Sequence, residues 1–398
     1  MWIFSGFVQS IVVTALNLRT LPNRLSASAV AMVGMAGVVA VLVSVLSIAE
    51  GIRTTMGSTG SPDTAIVLRT GSDSEMTSFL LPEDLNAIED APGIARRSGV
   101  GALASAELFV VVDLVKASTG TTANAPLRGV EPAAFAVRDF RLVKGRRIEP
   151  GRNEVIVGKA AAAEYRNLDV GSELKLGPNL WHIVGVFDAG GTVPDSELWC
   201  DAAVLAPLYR RGSSRSSVYV RLTSPEAFTR FKDRLTTDPR VKLRVMREQE
   251  YYAGQSKELS TTIEFIGGII GVLMGIGALF VAIITMYSAV ASRTREIATL
   301  RAMGFRGGPV VISVLAESML LALAGGVAGA AAAYFAFNGY QAATMNWQNM
   351  STIAFAFRVT PALLALGVGW AMVLGLLGGI FPAIRAMRMP IVTALREL

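Results

Sequence analysis

Four long stretches of the chain carry almost no ionisable side chain: residues 26–49, 265–291, 309–337 and 359–384, interrupted only by Glu317. Each exceeds the roughly 20 apolar residues that a helix needs to cross about 30 Å of hydrocarbon at 1.5 Å per residue. The pattern predicts four transmembrane helices, at 26–49, 261–291, 309–337 and 359–384. Residues 2–18 are patterned differently. Phe4, Phe7, Val8, Ile11, Val12, Ala15 and Leu18 recur every three or four positions, with Ser5, Gln9 and Asn17 elsewhere on the wheel. That spacing fits an amphipathic helix within 1–25, either lying in the membrane interface or packed on the protein, before Pro22 turns the chain.

Residues 50–260 alternate strand-like and helix-like runs. Ala65–Leu68, Leu108–Val115, Glu154–Val157, Trp181–Phe187 and Ser217–Leu222 read as strands, while 82–90 and 225–235 each open a helix on a proline. Turn signals at Glu149-Pro150-Gly151 and Gly190-Gly191 separate them. The predicted fold class is therefore a membrane α-helical protein of four spans with an α+β extracytoplasmic domain. Residues 248–260 are polar, free of proline and continuous with the second span, which predicts a helical stalk; a flexible linker is the alternative. Gly267, Gly271 and Gly275 in the second span, Gly325 and Gly329 in the third, and Gly375 and Gly379 in the fourth are four apart, so these faces let helix backbones approach closely, within or between subunits.

Charge placement orients the spans. Of 37 Lys plus Arg and 31 Asp plus Glu in the 398 residues, 27 of each fall in 50–260, which is neutral overall. The net charge of +6 thus comes from the remainder. Arg19, Arg24, Arg293, Arg295, Arg301, Arg306, Arg385, Arg388 and Arg396 lie on one side of the spans, against Arg358 alone in the short outer loop 338–358. The bias predicts both termini, the 292–308 loop and the 385–398 tail in the cytoplasm, with 50–260 outside. The excess flanks the spans and no basic patch has interleaved aromatics, so nucleic acid is not an expected partner. Met1–Leu18 has neither a basic n-region nor a clear cleavage site and is not expected to be a cleaved signal.

No catalytic constellation is legible. His182 is the single histidine and Cys200 the single cysteine, which excludes His-based metal clusters, thiolate metal sites and a Ser-His-Asp triad. His182 reads as a strand residue, and the many outer acidic residues read as solvated surface. Around Gly151–Ala160 the glycines are seven apart and Ala160 follows Lys159, so the phosphate-loop pattern fails. The chain is expected to be non-catalytic and to bind no cofactor or metal.

Glu317, the expensive residue in the membrane, either forms an interhelical hydrogen bond or ion pair or lines a polar cleft. The remaining signal is the run Arg293-Thr294-Arg295-Glu296-Ile297-Ala298-Thr299-Leu300-Arg301-Ala302-Met303-Gly304. It has good helix formers, Ile297 and Leu300 on one face, Glu296 in reach of Arg293, and Gly304 to end it. By spacing alone it is either a docking helix for a partner or a plain interfacial helix.

At this segment the sequence resembles ABC transporter permeases of the MacB/FtsX-like (type VII, mechanotransmission) family. Arg295-Glu296-Ile297-Ala298 and Leu300-Arg301-Ala302-Met303-Gly304 look like that family's cytoplasmic coupling helix. Glu317 with Gly325, Gly326 and Gly329 resembles its third span, and Phe381-Pro382-Ala383 with Pro390 and Ala394-Leu395-Arg396-Glu397 its ending. Outside, Lys144-Gly145-Arg146, the 154–158 strand, Val170-Gly171 and Ile183-Val184-Gly185-Val186 resemble the MacB-like periplasmic core domain.

The resemblance implies a bacterial inner-membrane protein working as a homodimer, or as a heterodimer with a sister permease, on a cytoplasmic ABC ATPase dimer. That ATPase, a separate polypeptide here, would bind ATP and Mg. Arg293, Arg295, Glu296, Ile297, Leu300, Arg301 and Gly304 become the ATPase-coupling residues, and membrane lipid, a periplasmic membrane-fusion adaptor and an outer-membrane channel join the implied partners. The implied function is export of a substrate; the same architecture also serves lipoprotein extraction or control of an envelope enzyme, as in LolC/E- or FtsX-like systems. A receptor or scaffold without an ATPase would leave 292–305 unexplained.

Overall fold

The computed structural model describes residues 25–305, 307–388 and 390, together with Gln9, Val13 and Thr14. Most of the predicted N-terminal amphipathic helix lies outside the described residues, as do Arg19, Arg24, Arg306, Arg396 and the chain after Pro390. The chain divides into a membrane unit (Met1–Glu50, Thr261–Tyr340 and Arg358–Leu398) and an outer unit (Gly51–Ser260 and Gln341–Phe357).

Among the described residues, four helices are long and apolar enough to cross a membrane: Leu25–Gly57, Glu248–Ala291, Gly307–Phe337 and Pro361–Arg388. Each contains or nearly contains its predicted span. The second runs 44 residues without a break, about 66 Å at 1.5 Å per residue, so residues 248–260 are helical rather than a linker.

Small residues decide how the spans pack, because lipid offers no hydrophobic gain for helix association and close van der Waals contact must supply it. A methyl group added at Gly267 or Gly271 would press on Val45 or Leu42 of the first span at 2.7 and 2.8 Å, and Gly275 abuts Trp370. Gly325 and Gly329 lie against the first-span backbone at Met32 and Ala36, while Gly326, Gly375 and Gly379 meet Ala371, Ala322 and Ser318 between the third and fourth spans. Ser318 Oγ donates to the Gly375 carbonyl at 2.6 Å. The predicted glycine faces therefore pack within one chain.

The outer unit is built on strands β1 (Thr64–Arg69), β2 (Arg96–Arg97), β3 (Gly101–Ala102), β4 (Ala104–Val115), β5 (Thr122–Val130), β6 (Arg141–Gly145), β7 (Glu154–Gly158), β8 (Glu173–Leu176), β9 (Asn179–Asp188), β10 (Leu198–Asp201), β11 (Ser217–Arg221) and β12 (Leu243–Arg247). Ten of them form one mixed sheet in the order β12-β1-β11-β4-β5-β10-β7-β9-β6, with β8 added on β9. β5 with β10 and β7 with β9 are parallel; the other pairs are antiparallel. β4 is the seam: Ala104–Glu107 pair with β11 and Leu108–Val115 with β5.

Period-two alternation puts Leu108, Val110, Val112 and Leu114 on one face, packed with Leu127, Val155, Trp181 and Leu198. On the β11 side the same face carries Ala106, Val218 and Val220 beneath the helices Pro82–Glu89 and Ala227–Thr236, through Ile88, Phe231 and Leu235. The opposite face presents Glu107, Phe109, Arg128, Trp199, Ser217 and Tyr219: Glu107 opposes Ser217, Arg128 opposes Phe109 on one side and Trp199 on the other, and Tyr219 opposes Ser105.

One predicted boundary changes character. Residues 338–358, expected as a short loop, contain a hairpin of β13 (Gln341–Asn346) and β14 (Ser351–Ala356) that joins the outer unit. Ser196 Oγ accepts from the Ala354 N–H at 2.9 Å, and Asn346 Nδ2 donates to Gln255 Oε1 at 2.8 Å. The hairpin satisfies its backbone internally, which an irregular loop of this length does not.

Gly329→Leu is expected to force the third span off the Ala36 backbone and destabilise the detergent-solubilised chain by about 1–3 kcal/mol. Gly268→Leu, at a glycine with nothing within 4 Å, is the neutral control. Denaturant titration of both variants measures the difference.

Candidate functional site

The segment between the second and third spans is a helix, Thr294–Ala302. Its end follows the rule for glycine in the left-handed region. Gly304 has φ +96°, its N–H reaches the Arg301 carbonyl, and the Phe305 N–H reaches the Leu300 carbonyl at 3.2 Å, which together form a Schellman motif. The buried face carries Ile297 and Ala298, with Ile297 packed among Met286, Val290, Val310 and Val314.

Arg293 departs from its predicted role. Rather than reaching Glu296, it is 3% exposed and its Nη2 donates at 2.6 Å to Oε1 of Glu317, itself 4% exposed. Arg293 is thus no part of an exposed docking face, and Glu317 takes the ion-pair reading. With Arg293 and Ile297 turned inward, Arg295, Glu296 and Gly304 are exposed and Leu300 and Arg301 half-buried. Met303 joins them at 64% exposure.

In the outer unit the residues of the second sheet face form a charge cluster that sequence reading missed. Arg128 is 1% exposed and uses all five N–H donors. Nε and Nη2 grip Glu197 at 2.8 and 2.7 Å, Nη1 and Nη2 grip Glu75 at 2.6 and 3.0 Å, and Nη1 also reaches Glu107 at 3.0 Å. Arg138 Nη2 donates to the same Glu107 oxygen. Ser217 Oγ and Trp199 Nε1 donate to Glu75 and Glu197 at 2.6 and 2.7 Å. The rings of Phe109 and Tyr219 lie 5.2 and 5.3 Å from the Arg128 guanidinium carbon.

The first turns of the Glu248–Ala291 helix complete the enclosure. Tyr252 shares a hydrogen bond with Tyr219, and Tyr251 accepts one from the Glu75 N–H. Glu75, Glu107 and Glu197, read as solvated surface on general grounds, are instead buried because this face of the sheet is covered.

Electrostatics divides the carboxylates. Burial would push Glu197 up, but the charge and hydrogen bonds of Arg128, with Arg138 and the Trp199 N–H, hold it below the ordinary carboxylate range. Burial keeps Glu107 above that range despite Arg138 and Arg128. Glu248, the first residue of the long helix, is likewise raised by burial, opposed by Arg138 and a hydrogen bond from Thr64. His182 sits in β9 beside Glu173, and Lys159 pairs with Asp188 at 3.1 Å, so neither belongs to the cluster.

Four helices able to span a membrane and a mixed-sheet unit with a buried charge cluster define an integral membrane protein with a separate domain. The profile of the MacB-like periplasmic core domain matches residues 28–238, more than half of the chain, and that of the FtsX-like permease C-terminal region matches 268–391. The chain belongs to the MacB/FtsX-like ABC transporter permeases, proteins of the inner membrane.

Among curated relatives, an uncharacterized ABC transporter permease, YknZ of Bacillus subtilis, is 29% identical over 152 residues, 38% of this chain and 36% of that protein. The macrolide export ATP-binding/permease protein MacB of Bdellovibrio bacteriovorus is 23% identical over 301 residues, 69% of this chain and 44% of that protein. The chain thus spans less than half the length of these relatives. Among solved structures, the periplasmic region of MacB from Actinobacillus actinomycetemcomitans aligns over 51% of this chain and 92% of its own, at TM-score 0.36 and 17% identity. The extracellular domain of the transporter YknZ from Gram-positive bacteria covers 46% of this chain and 100% of its own, at TM-score 0.35 and 18% identity.

Two expectations follow. Replacing a whole buried ion-pair set by apolar groups is often neutral, whereas removing one partner strands the others. Arg128→Met, which leaves three carboxylates facing one another, is expected to destabilise the outer unit by about 3–5 kcal/mol in denaturant titrations of the full chain. Glu248 titrates above its unfolded value, so its contribution to stability is present below the unfolded carboxylate range and is lost as pH rises through the folded value. Glu248→Gln, which mimics the protonated form, is therefore expected to be near neutral at pH 4 and stabilising at pH 7; the paired titrations measure the sign.

Proposed function

We propose that this permease receives the motion of a cytoplasmic ATPase dimer at the helix Thr294–Ala302 and passes it, through the unbroken helix Glu248–Ala291, to the outer unit, which acts on an export substrate. The observation that carries the reading is how the short helix is held. Its inner face is fixed by Ile297 and by the buried Arg293–Glu317 pair, while Arg295, Glu296 and Met303 face away from the membrane unit. A rigidly seated helix offering one apolar and two charged groups suits a groove on a partner protein, since the groups that bind need not be ordered first. A helix lying passively in the interface has no need of a buried ion pair at its root.

On this reading the helix, both termini and the positive charges lie in the cytoplasm, and the outer unit lies in the periplasm. The chain is non-catalytic, and ATP and Mg are bound by the separate ATPase. Two permease copies, identical or sister chains, sit on the ATPase dimer. A periplasmic membrane-fusion adaptor and an outer-membrane channel complete a tripartite assembly for export, the activity that the names of the MacB relatives carry. The 44 residues of continuous helix support the transmission step, because a helix resists bending far more than a loop of equal length.

Arg295→Glu combined with Glu296→Lys exchanges the exposed charges without touching the buried anchor. Wild-type permease purified from native membranes is expected to retain the ATPase subunit, and the double variant to lose about 90% or more of it while keeping wild-type thermal stability; two charged contacts at about 1 kcal/mol or more each suffice for that loss. Equal ATPase recovery with both proteins would remove the coupling assignment.

A further inference from the structure

A groove opens between the ends of the second and fourth spans, where the chain turns into the helix Thr294–Ala302. Its walls are Tyr287, Ser288, Val290 and Ala291 of the second span, Thr294, and Arg385 of the fourth. All belong to the membrane unit. The groove offers about 370 Å³, far above the ~15 Å³ that a single water requires. Tyr287 lies four residues before the end of its helix and Arg385 three. At 1.5 Å per residue the groove is therefore within about 6 Å of the helix ends, the depth of lipid headgroups.

Its polar groups are donors that the protein leaves unused. Arg385 is exposed, with its guanidinium carbon over the Tyr287 ring at 5.5 Å from the centroid. Among the described residues no carboxylate and no hydrogen-bond acceptor engages that guanidinium. Thr285, Ser292 and Thr294 spend their hydroxyls on backbone carbonyls, as hydroxyls in helices commonly do. Ser288 is exposed and its hydroxyl has no partner among the described residues. No acidic residue lines the groove, and the exposed Glu296 lines a separate small cavity with Arg293 and Ile297.

One turn deeper along the same two helices the surface is apolar. Ile284 precedes Tyr287 by three residues and Phe381 precedes Arg385 by four, spacings that share a helix face. These two side chains are 67% and 60% exposed. Donors at headgroup depth thus continue into apolar surface toward the membrane centre. A free phosphate gains nothing from that continuation. A zwitterionic headgroup would bring an ammonium group beside a guanidinium, with no carboxylate in the groove to receive it.

We propose that the groove holds the phosphate of an anionic phospholipid on the Arg385 guanidinium and the Ser288 hydroxyl, with an acyl chain along Ile284 and Phe381. A guanidinium suits phosphate because its N–H groups lie in one plane, and basic pockets between spans are where anionic headgroups bind. An arginine that simply snorkels to the interface needs neither a cavity nor an unengaged hydroxyl beside it. This site goes beyond the coupling role and does not depend on it.

The test uses the full chain in detergent micelles, titrated with phosphatidylglycerol or phosphatidylcholine of the same acyl chains, with bound lipid counted by native mass spectrometry. One phosphatidylglycerol per chain is expected to bind about tenfold more tightly than phosphatidylcholine and to resist displacement by inorganic phosphate. Arg385→Gln is expected to remove that preference and Ser288→Ala to weaken phosphatidylglycerol about threefold, both with wild-type melting curves. Arg388→Gln, at an exposed arginine outside the groove, leaves binding unchanged. Equal binding of the two lipids, phosphatidylglycerol binding unchanged in Arg385→Gln, an equal loss in Arg388→Gln, or displacement by inorganic phosphate would each overturn the proposal. None of these results involves the ATPase, so failure here leaves the coupling reading standing.

Discussion

Arg128 is the constraint around which the outer unit is arranged. A guanidinium with five donors in a fixed plane has few ways to be satisfied without water, and here Glu75, Glu107 and Glu197 supply its acceptors. Each comes from a different part of the chain: a turn after β1, the seam of β4, and the residue before β10. The cluster therefore ties β4, β5 and β10 together where β4 changes from one sheet neighbour to the next. Because the ion is buried, the face that bears it has to be covered, and Tyr251 and Tyr252 of the long helix do so. The cluster also has more carboxylates than guanidiniums nearby. That excess is why burial prevails at Glu107 and Glu248 while Arg128 prevails at Glu197.

The membrane unit obeys the same rule in a harsher solvent. Hydrocarbon tolerates a charge when a partner of opposite sign is within reach, and Glu317 has Arg293 at 2.6 Å. That single pair also sets the rotation of the helix that follows it. At about 100° per residue, turning Arg293 and Ile297 inward leaves Arg295 and Glu296 facing outward. Elsewhere in the unit the spans approach through glycine, alanine and serine, which is how van der Waals contact is maximised where apolar burial gives nothing.

Much of this was legible along the chain. The four spans are visible because crossing hydrocarbon requires some twenty uninterrupted apolar residues, a local and one-dimensional demand. The helix Thr294–Ala302 is visible because its formers, its Ile297–Leu300 face and its stop at Gly304 are adjacent in sequence. β1, β4, β7, β9 and β11 announce themselves as short runs rich in β-branched and aromatic residues, whereas β5 contains Pro126 and Arg128, and β10 is four residues long; neither stands among the predicted strands. The hairpin at 341–356 escaped because two six-residue strands rich in alanine and polar residues give little signal.

The sequence by itself determined the membrane spans, the division into two units and the family, since each rests on local composition, on periodicity or on contiguous motifs. Only the tertiary structure decided which charges are buried. Glu75, Glu107, Arg128, Arg138, Glu197 and Glu248 are spread over more than 170 positions, and nothing near any of them in sequence distinguishes it from a surface residue. The same holds for Arg293, whose partner lies 24 residues away and not one helical turn along. Burial of an ion depends on which distant segments cover it, and that is a property of the packed sheet and helices rather than of any stretch of chain.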